Sequence, residues 1–591
     1  MQIIRLLVIV FVCWTCFAEE PVNDFLNTLY NTKNTSYSKG DFAKFIEKCR
    51  QQGEQEDFNK GFGSNLNGAD FSRLYLKGSI FSNVSLIGAN FSNTDLSDVL
   101  FVNVDLRGAD FSNANLSNIK IENTDLRFAN FTATTLTDTK FRKSDISYAE
   151  FGNSELKQLD IRNVTGMYAN FSNAKISLSN VSNLNISYAN FSDGEIDNTT
   201  IQKSNLDFVN FLGVDAYKVK MQFSSLKNAS VYGAEIQESD FTGSDFTNAN
   251  FSSSTVIDSN FDQANLSSAQ ISYVSSDYSS FVKSILKDAK IDHSHVSDAN
   301  LQDSWLLGVD LSFSELYGVD ISNADLRSAK FHNTKVSNSD MNNTFFDNTL
   351  FDFAKVDNTD FSRSSMYNVS IQNSQIHNSK LSSSKMDASN IKGSTFLNLA
   401  ADSINWSNLK VTKSSFIESD FKSSSLSNNT FKKTCFFIDN FDNTIISDVS
   451  FLASSVHKCS VIDTKIEDCK FDDSIFIGNK GQKKLTGLSN AITSVEDLQT
   501  RVLKGERFDV NYSYFNFDNM NLQNADFSNS TLNVAKFNNT NLDGASFEKA
   551  DLRYAVFNDS SLVGTSFLGS NLEFANFLKS DLKDAKLDNA K

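Results

Sequence analysis

Side chains able to do catalytic or metal chemistry are scarce in this sequence of 591 residues. It contains five histidines and six cysteines, and only His293 and His295 stand close together. Two imidazoles fall short of the four protein ligands that a structural zinc ion takes. Patterns for a phosphate-binding glycine loop, a zinc-protease helix or a nucleophile elbow do not occur. The sequence therefore predicts no catalytic residue, no metal site and no cofactor.

Two cysteines raise the question of a disulfide. Cys459 and Cys469 are ten residues apart, and both occupy positions expected to point inward as small residues. A disulfide would need their Cα atoms within about 7 Å of each other. The other interpretation, which we prefer, is that both are buried thiols acting as small hydrophobic groups.

An aromatic residue recurs every twenty positions at sites expected to face solvent: Phe128, Tyr148, Tyr168, Tyr188 and Phe208. Aromatic pairs on neighbouring strands stabilise a sheet by roughly 0.2 to 1 kcal/mol each, which is one reason for such a ladder. Exposed apolar surface also marks interaction sites. The ladder is thus either structural or a candidate strip for stacking on glycans or packing against another protein.

Asparagines in N-x-S/T triplets are frequent, and in a secreted eukaryotic protein such triplets accept N-linked glycans. The candidates are Asn34, Asn83, Asn90, Asn130, Asn170, Asn190, Asn250, Asn405 and Asn511. Most of them arise automatically from an A-N-F-S repeat and are expected to point outward. Asn34 and Asn511 lie outside the regular repeats and are the cleaner candidates.

The element that must position these residues is a repeat of five nested in a repeat of twenty. Phenylalanine recurs every twenty residues from Phe71 to Phe211. Every fifth residue from Leu66 to Phe476 is large and apolar, and a small residue usually stands two places earlier. The exceptions at the large position are Gly166, Ala216, Ser276 and Ala401. Five matches neither the helix period nor the strand period, so it predicts a four-sided coil whose successive turns pair at about 4.8 Å.

Runs such as Ala89-Asn90-Phe91, Ala109-Asp110-Phe111 and Ala525-Asp526-Phe527 resemble the pentapeptide-repeat family, whose pattern is A-(D/N)-(L/F)-x-x. The resemblance covers most of the chain. It implies an all-β fold, a right-handed quadrilateral β-helix, but it implies no activity, because this family is functionally diverse. A single proline in the whole chain agrees with a ladder that uses nearly every backbone N–H group.

The N-terminal part, residues 1–63, lacks the five-residue pattern. Residues 1–18 are predicted to be a secretory signal peptide, because residues 3–17 are mostly apolar and small residues precede Glu19. Residues 19–63 are predicted to be a helical cap, with helices at 24–30 and at 38–49. Ser38 is placed as the N-cap of the second helix. The cap would cover the open edge of the first coil.

The β-helix is expected over residues 64–477, followed by an inserted loop at 478–511 that contains one helix over 489–504, with Ser489 or Thr493 near its start. The five-residue pattern then resumes over 512–591, shifted by one residue. We expect this last segment to continue the same β-helix while the insertion bulges from one corner. The insertion is either a tolerated loop or a partner site.

These features favour a secreted or cell-surface structural or interaction rod without enzymatic activity, such as an adhesion, matrix or fibre component. The alternative is an ectodomain that binds carbohydrate or protein. Less favoured is an acidic DNA mimic that inhibits a topoisomerase, as in some relatives, because 54 Lys and Arg are interspersed among 71 Asp and Glu. Protein or glycan partners are expected, with no nucleic acid and no transmembrane segment after signal removal. A C-terminal coil left open near Leu587 would favour a homo-oligomer.

Overall fold

The structure is a computed structural model that describes residues 34–591 except 483, 484, 486, 487, 489 and 507–509. The predicted signal peptide and the predicted helix at 24–30 lie outside the described residues. The chain forms two compact units, Met1–Ser275 and Ser276–Lys591. Both are built from right-handed quadrilateral coils of parallel β-structure, about 20 turns in total, so the predicted fold class is confirmed.

One turn takes twenty residues, and residues twenty apart pair directly, as Phe81 does with Phe101. We call such a set a column. The backbone N–H of Phe91 donates to the carbonyl of Asp110 at 2.6 Å, and that of Asn90 donates to the carbonyl of Ala69 at 2.8 Å. Each coil is thereby bonded to the coil before and the coil after it. In the coil 80–99 we name the four sides face A (80–82), face B (85–87), face C (90–92) and face D (95–97), and carry these names to the other coils.

Where pairing is extensive, the faces form three-residue strands. In unit 1, face A has β1 Ile80–Ser82, β2 Leu100–Val102, β3 Lys120–Glu122, β5 Lys140–Arg142, β7 Asp160–Arg162, β9 Asn180–Ser182 and β11 Thr200–Gln202. Face D of unit 1 has β4 Thr135–Thr137, β6 Glu155–Lys157, β8 Lys175–Ser177, β10 Glu195–Asp197, β12 Asp215–Tyr217, β13 Glu235–Gln237 and β14 Thr255–Ile257. Strand β15, Ser275–Asp277, spans the boundary of the two units.

In unit 2, face D has β16 His295–Ser297, β17 Glu315–Tyr317, β18 Lys335–Ser337, β20 Lys355–Asp357, β23 Gln375–His377, β26 Thr395–Leu397, β29 Ser415–Ile417, β32 Cys435–Phe437, β35 Ser455–His457 and β38 Ile475–Ile477. Face C has β19 Leu350–Asp352, β22 Ser370–Gln372, β25 Asn390–Lys392, β28 Lys410–Thr412, β31 Thr430–Lys432, β34 Ser450–Leu452 and β37 Lys470–Asp472. Face B has β21 Ser365–Tyr367, β24 Lys385–Asp387, β27 Asn405–Ser407, β30 Ser425–Ser427, β33 Ile445–Ser447 and β36 Lys465–Glu467.

Within each unit the core is a stack of the large apolar residues, with the small residues beside them. Phe91 and Phe111 are fully buried and stack with their ring centroids 5.0 Å apart. Many small inward hydroxyl residues donate to a backbone carbonyl, as the Thr94 hydroxyl does to the Phe71 carbonyl at 2.9 Å. The inward Asn429 does the same, donating to the Trp406 carbonyl at 3.0 Å and accepting from the Leu409 N–H at 2.9 Å. An inward polar side chain is therefore accommodated without irregularity in the coil.

Each corner turns at a residue in the left-handed region of backbone conformation. Asn93 and Asn113 both have φ of 57°, and the same holds at the equivalent position of almost every five-residue unit. Asparagine, aspartate and glycine adopt this conformation at low cost, which explains their frequency at the corners. The corner geometry directs the side chain at this position away from the core.

A helical cap covers the first coil, as predicted. Helix α1 spans Lys39–Gln52, and Ser38 is its N-cap in a capping box with Asp41. A second short helix, α2, spans Phe58–Phe62. The Phe58 ring stacks on Phe81 at 4.4 Å, so the aromatic core continues into the cap. The carbonyl of Glu56 accepts from the N–H of Ile80 at 2.7 Å, which satisfies an edge group of the first strand.

The segment after residue 477 differs from the expected bulging loop. The coils up to Ile477 form what we call the first run. Ile492 pairs in parallel with Ile475 and covers the last coil of this run. Helix α3 then spans Val495–Leu503 with Ser494 as its N-cap, so it is shorter than the predicted helix and begins at a different serine. Leu498 and Val502 pack in one buried cluster with Tyr512 and Phe517. The Gln499 amide donates to the Asn521 carbonyl at 3.3 Å, an edge group of the next coil.

Residues 511–591 therefore form a second solenoid run with its own cap, and the expected continuation of the first run is wrong. The Tyr512 N–H donates to the Thr531 carbonyl at 2.7 Å, which is the pairing of a first coil with a second coil. The other side of Asn511 meets the first run: its N–H donates to the carbonyl of Ala453 at 3.4 Å. The physical reason is that Ile492 takes up the edge of the last coil: its N–H donates to the Ser474 carbonyl at 2.9 Å, and its carbonyl accepts from the Phe476 N–H at 2.8 Å.

Candidate interaction surfaces

The predicted aromatic ladder is a stack of rings along one corner column of unit 1. Neighbouring ring centroids are 4.8, 5.1, 4.8 and 4.6 Å apart in order from Phe128 to Phe208, and the planes differ by at most 13°. All five residues have φ near 60°. Tyr188 and Phe208 are exposed, Phe128 and Tyr168 are half-buried, and Tyr148 is buried. The expectation that all five face solvent is wrong for Tyr148.

This stacking decides what the ladder is able to bind. Both faces of Tyr148, Tyr168 and Tyr188 are covered by the neighbouring rings, so the ladder presents ring edges at these positions. A sugar that stacks on an aromatic side chain needs a ring face. The geometry thus favours the structural interpretation of the ladder, in which each stacked pair stabilises the coil by roughly 0.2 to 1 kcal/mol.

The glycosylation candidates on face C are held in a column of side-chain hydrogen bonds. The Asn130 amide donates to Asp110 at 2.9 Å, the Asn170 amide to Glu150 at 2.7 Å, and the Asn190 amide to Asn170 at 3.1 Å. Asn90, Asn130, Asn170, Asn190 and Asn250 are half-buried. They point outward as predicted, but in the first four the amide nitrogen that would carry a glycan already donates within the column.

Of the candidates outside this column, Asn34, Asn83 and Asn405 are exposed, whereas Asn511 is buried. The Asn511 amide donates to the carbonyls of Ser414 and Lys433, both at 3.2 Å. Its side-chain oxygen accepts from the Ser513 N–H at 3.0 Å. The expectation that Asn511 is a clean glycan acceptor is therefore wrong for the folded chain, because its side chain fastens the second run to the first.

The predicted alternative of a disulfide between Cys459 and Cys469 is wrong, because both thiols are free. They stand on opposite sides of one coil, and each points at backbone carbonyls in the manner of the inward hydroxyl residues. The Cys459 thiol lies 3.6 Å from the Phe436 carbonyl, and the Cys469 thiol lies 3.4 Å from the Ile446 carbonyl. Burial raises the pKa of the Cys459 thiol, so it is unreactive.

His293 and His295 lie near different carboxylates. Nδ1 of His293 lies 3.1 Å from Asp292, whereas Nδ1 of His295 lies 3.7 Å from Glu315 on face D. In the described ranges, no cluster of three or more His, Cys, Asp or Glu is arranged to hold a metal ion. No helix among the described residues is both long and apolar enough to cross a membrane.

The contact between the two runs of unit 2, which we call the junction, is an interface that the sequence analysis missed. On face D the outward residues change from Lys335 and Ser337, through half-buried Thr395 and Leu397, to buried Cys435, Ser455 and His457. Residues 511–515 lie across this part of the face. The Ser455 hydroxyl donates to the Asn511 carbonyl at 2.6 Å, and the Cys435 thiol donates to the Ser513 carbonyl at 3.2 Å.

Aromatic rings complete the junction. The Phe437 ring stacks on Tyr514 with centroids 5.2 Å apart, and the His457 ring meets Phe515 edge to face at 5.2 Å. Burial lowers the pKa of His457 to about 3 and raises the pKa of Cys435 to about 12. The two ionisable side chains that the junction buries, His457 and Cys435, are thus both neutral.

A signal for this interface is present in the sequence. Outward positions of a solenoid face should be polar, yet Leu397, Ile417 and Phe437 follow one another in a single column. Three apolar residues in neighbouring coils mark a covered face, because exposed apolar residues of a soluble protein are normally scattered.

A second apolar group lies on face B of unit 2 and is exposed. We call Trp305, Phe345 and Tyr367 the face-B patch; their exposed fractions are 63%, 51% and 52%. Trp305 pairs with Asp325, which in turn pairs with Phe345, so the two aromatic residues are two coils apart in one column. Arg327, which holds Asp325 in a bidentate ion pair, lies between them.

Two family models match the sequence. The model described as pentapeptide repeat region matches residues 63–131. The model described as pentapeptide repeats (8 copies) matches residues 124–163, 229–267, 244–275, 297–333, 306–343, 329–366, 513–548, 532–567 and 550–589. The matches fall on both runs of coils. No curated protein matches the sequence significantly.

Several solved structures are similar to parts of this chain. A trypsin-treated form of QnrB1, a plasmid-mediated fluoroquinolone resistance protein, is 14% identical over 31% of this chain and 90% of its own, with a TM-score of 0.25. HetL, a pentapeptide repeat protein of Nostoc sp. strain PCC 7120 involved in heterocyst differentiation regulation, is 17% identical over 50% of this chain and 97% of its own, with a TM-score of 0.15. A pentapeptide repeat protein from the thylakoid lumen of Arabidopsis thaliana is 22% identical over 24% of this chain and 74% of its own, with a TM-score of 0.14.

Proposed function

We propose that this chain, which belongs to the pentapeptide-repeat family, is a secreted or cell-surface interaction scaffold and not an enzyme. Pentapeptide-repeat proteins are in general structural or interaction proteins. The role we propose is that of an adhesion, matrix or fibre component that binds other proteins through the outer faces of its coils.

The junction carries this proposal. There, a face of the solenoid binds a separately capped run of coils through outward apolar side chains and backbone-directed hydrogen bonds. The junction thus shows, within this chain, that an outer face of the coils binds another β-structure. What makes that face competent is the replacement of outward polar residues by Ile417, Phe437 and their neighbours, which places apolar area where it is removed from water on contact.

The face-B patch likewise carries apolar residues at outward positions, and they are exposed. Tryptophan, tyrosine and arginine are the residues most enriched where protein interfaces concentrate their binding energy. Trp305, Phe345, Tyr367 and Arg327 are therefore the residues we assign to a partner protein. The partner's chemistry would be an apolar or aromatic surface with an acceptor for Arg327.

Replacing both Trp305 and Phe345 by serine tests this assignment. The matched control is Phe223→Ser, which removes an equally exposed aromatic residue from unit 1. The measurement is binding of the labelled, purified chain to the surface of the cells that produce it. Loss of two central aromatic residues should weaken binding at least about 10-fold, whereas Phe223→Ser should leave it unchanged. Equal binding by the double variant, or equal loss in the control, would reject the face-B patch as the contact surface.

Secretion is supported by the apolar stretch at residues 3–17 and the small residues before Glu19. The test is N-terminal sequencing of the chain isolated from its natural source. We expect it to begin at Glu19 and to be recovered from the medium or the cell surface. A chain that begins at Met1 and fractionates with the cytosol would contradict secretion while leaving the protein-binding proposal to the face-B test.

The two other candidate functions have weaker support. For glycan binding, the three central rings of the aromatic ladder have both faces covered, and exposed rings such as Trp305 are the better stacking platforms. For DNA mimicry, an acidic face would have to imitate the dense phosphate charge of a duplex. Here Asp105, Asp125 and Asp325 are each paired with an arginine two residues later in the chain, which neutralises that part of the acidic surface.

A further inference from the structure

His457 is the only ring of the junction that carries ionisable nitrogens. It is 3% exposed and lies between Phe437, at 4.9 Å, and Phe515, at 5.2 Å. Neither of its ring nitrogens makes a hydrogen bond of normal geometry, and the polar group that lies near the ring is the backbone of Tyr514. Burial keeps this ring neutral, and a buried donor or acceptor without a well-formed hydrogen bond is costly.

We infer that the junction is a pH-sensitive latch: the second run of coils docks on the first while the His457 ring is neutral, and it is released when that ring takes a proton. In the docked state an imidazolium would be buried between aromatic side chains without a counter-ion, which is strongly unfavourable. In the released state the same position, an outward position of face D, is in contact with water. The proton therefore binds the released state more tightly.

The groups that face His457 do not offer it a stable counter-charge. On its own coil the neighbour is Lys458, whose ammonium group lies over the Phe437 ring at 5.4 Å and disfavours a second positive charge. On the preceding coil Cys435 has a raised pKa and stays a neutral thiol. On the docked coil Tyr514 also has a raised pKa, and its backbone lies near enough to favour the protonated ring, an effect smaller than that of burial.

One buried carboxyl group is nearby but acts in the opposite direction. Asp439 is fully buried inside the coil, where burial raises its pKa and its oxygens accept the N–H groups of Ser419 and Phe437 at 2.8 and 3.1 Å. A raised carboxyl pKa makes the folded coil more stable as the pH falls. Asp439 also points inward, so its surroundings are the same in the docked and released states.

The sign and size of the pH response follow from His457. Its pKa is about 3 when docked and near the usual 6.5 when released. Docking is therefore fully favourable above pH 6.5 and weakens as the pH falls below that value. Between pH 7.5 and pH 4.5 the docking equilibrium should weaken by about 100-fold. This places the response in the range at which unperturbed histidines act as switches.

Hydroxyl-radical footprinting of the full chain from pH 7.5 to pH 4.5 tests the latch. Oxidation of Phe437 and Tyr514, which cover each other in the docked state, should rise as the pH falls. In His457→Phe, whose ring fills the same space without a titrating group, oxidation should stay low throughout. The matched control is His377→Phe, four coils earlier in the same column and outside the junction, which should respond as the unaltered chain does.

Two results would overturn the inference: no rise in Phe437 and Tyr514 oxidation at pH 4.5, or an equal rise in His457→Phe. If His457→Phe does not fold, the test is made on the unaltered chain. The measurement is then the exchange rate of the carbon-bound hydrogen of the imidazole ring. His457 should exchange far more slowly than the exposed His295 at pH 7.5 and approach the rate of His295 at pH 4.5. Slow exchange of His457 at both pH values would reject the latch.

Discussion

Filling a cavity inside unit 1 tests how the core is built. Ala216 occupies a large-residue position, and its column neighbours Ile196 and Ile236 pair directly with it. The missing atoms leave a cavity of about 20 Å³ lined only by apolar residues, among them Met221 and Phe241. The change Ala216→Val should therefore stabilise the coils around it.

The magnitude follows from the volume and from the atoms added. At about 24 cal/mol per Å³, removing a cavity of about 20 Å³ is worth about 0.5 kcal/mol. Valine adds two buried methyl groups at about 0.8 kcal/mol each, which sets an upper limit near 1.6 kcal/mol if both fit without strain. We expect a gain of about 0.5 to 1.5 kcal/mol, because the cavity is small and part of the added volume must be accommodated by neighbours.

Native-state amide hydrogen exchange, measured on peptides that cover residues 214–238, reports this local stability. Exchange in Ala216→Val should slow by about 2- to 10-fold. Two other gaps in the large-residue pattern supply controls. At Gly166 an added Cβ would lie 2.9 Å from Ile146, and at Ala401 the neighbouring Trp406 is fully buried in the core. Ala401→Val should destabilise its coil by about 1 to 3 kcal/mol through overpacking. Faster exchange in Ala216→Val, or an equal gain in Ala401→Val, would refute the packing argument.

Three further predictions concern the core, the ladder and the junction. Phe131 is fully buried between Phe111 and Phe151. Phe131→Asp should therefore lower the free energy of unfolding by more than about 4 kcal/mol and make the chain cleavable by trypsin at Arg127 and Lys140. Unchanged protease resistance would contradict the inward position of Phe131. Tyr168→Ser removes two stacked contacts and should lower local stability by about 0.4 to 2 kcal/mol while folding is retained by circular dichroism; a globally unfolded variant, or unchanged local exchange, would contradict the structural role of the ladder. Asn511→Leu removes hydrogen bonds to Ser414 and Lys433 and should weaken docking by about 1 to 3 kcal/mol, seen as increased oxidation of Tyr514; unchanged oxidation would show that Asn511 does not fasten the junction.

The sequence predicts the coil closely because the repeat and the fold have the same period. The inward position of Phe91 and Phe111, the twenty-residue register and the N-cap at Ser38 all depend on local spacing, which is visible in the chain. The sequence also indicates where a small residue at a large-residue position is compensated by a larger neighbour, since Trp406 stands at the next large position after Ala401.

The junction was not predicted, because it depends on which outer face meets which coil. Phe515 and Met520 stand at the small-residue position of the second run and mark its first coil as atypical, but they do not say that the coil docks on face D. For the same reason the sequence placed Asn511 among the cleaner glycosylation candidates, although the junction buries it. The aromatic ladder was predicted only in part. Its twenty-residue spacing is visible in the sequence, whereas the stacking that covers its ring faces depends on the side-chain directions at the corners.

The most direct test of the account is the reactivity of a natural cysteine, because the account requires that residues 511–515 cover face D. Cys435 is an outward residue that is buried only where the second run docks, whereas Gln375, three coils earlier in the same column, is exposed. Thiol labelling of the native chain at pH 7.5, read by mass spectrometry, should leave Cys435 unmodified and should modify the cysteine of Gln375→Cys readily. Labelling of Cys435 at a rate equal to that of Gln375→Cys would show that face D is open, and would contradict the docked second run on which the proposed function rests.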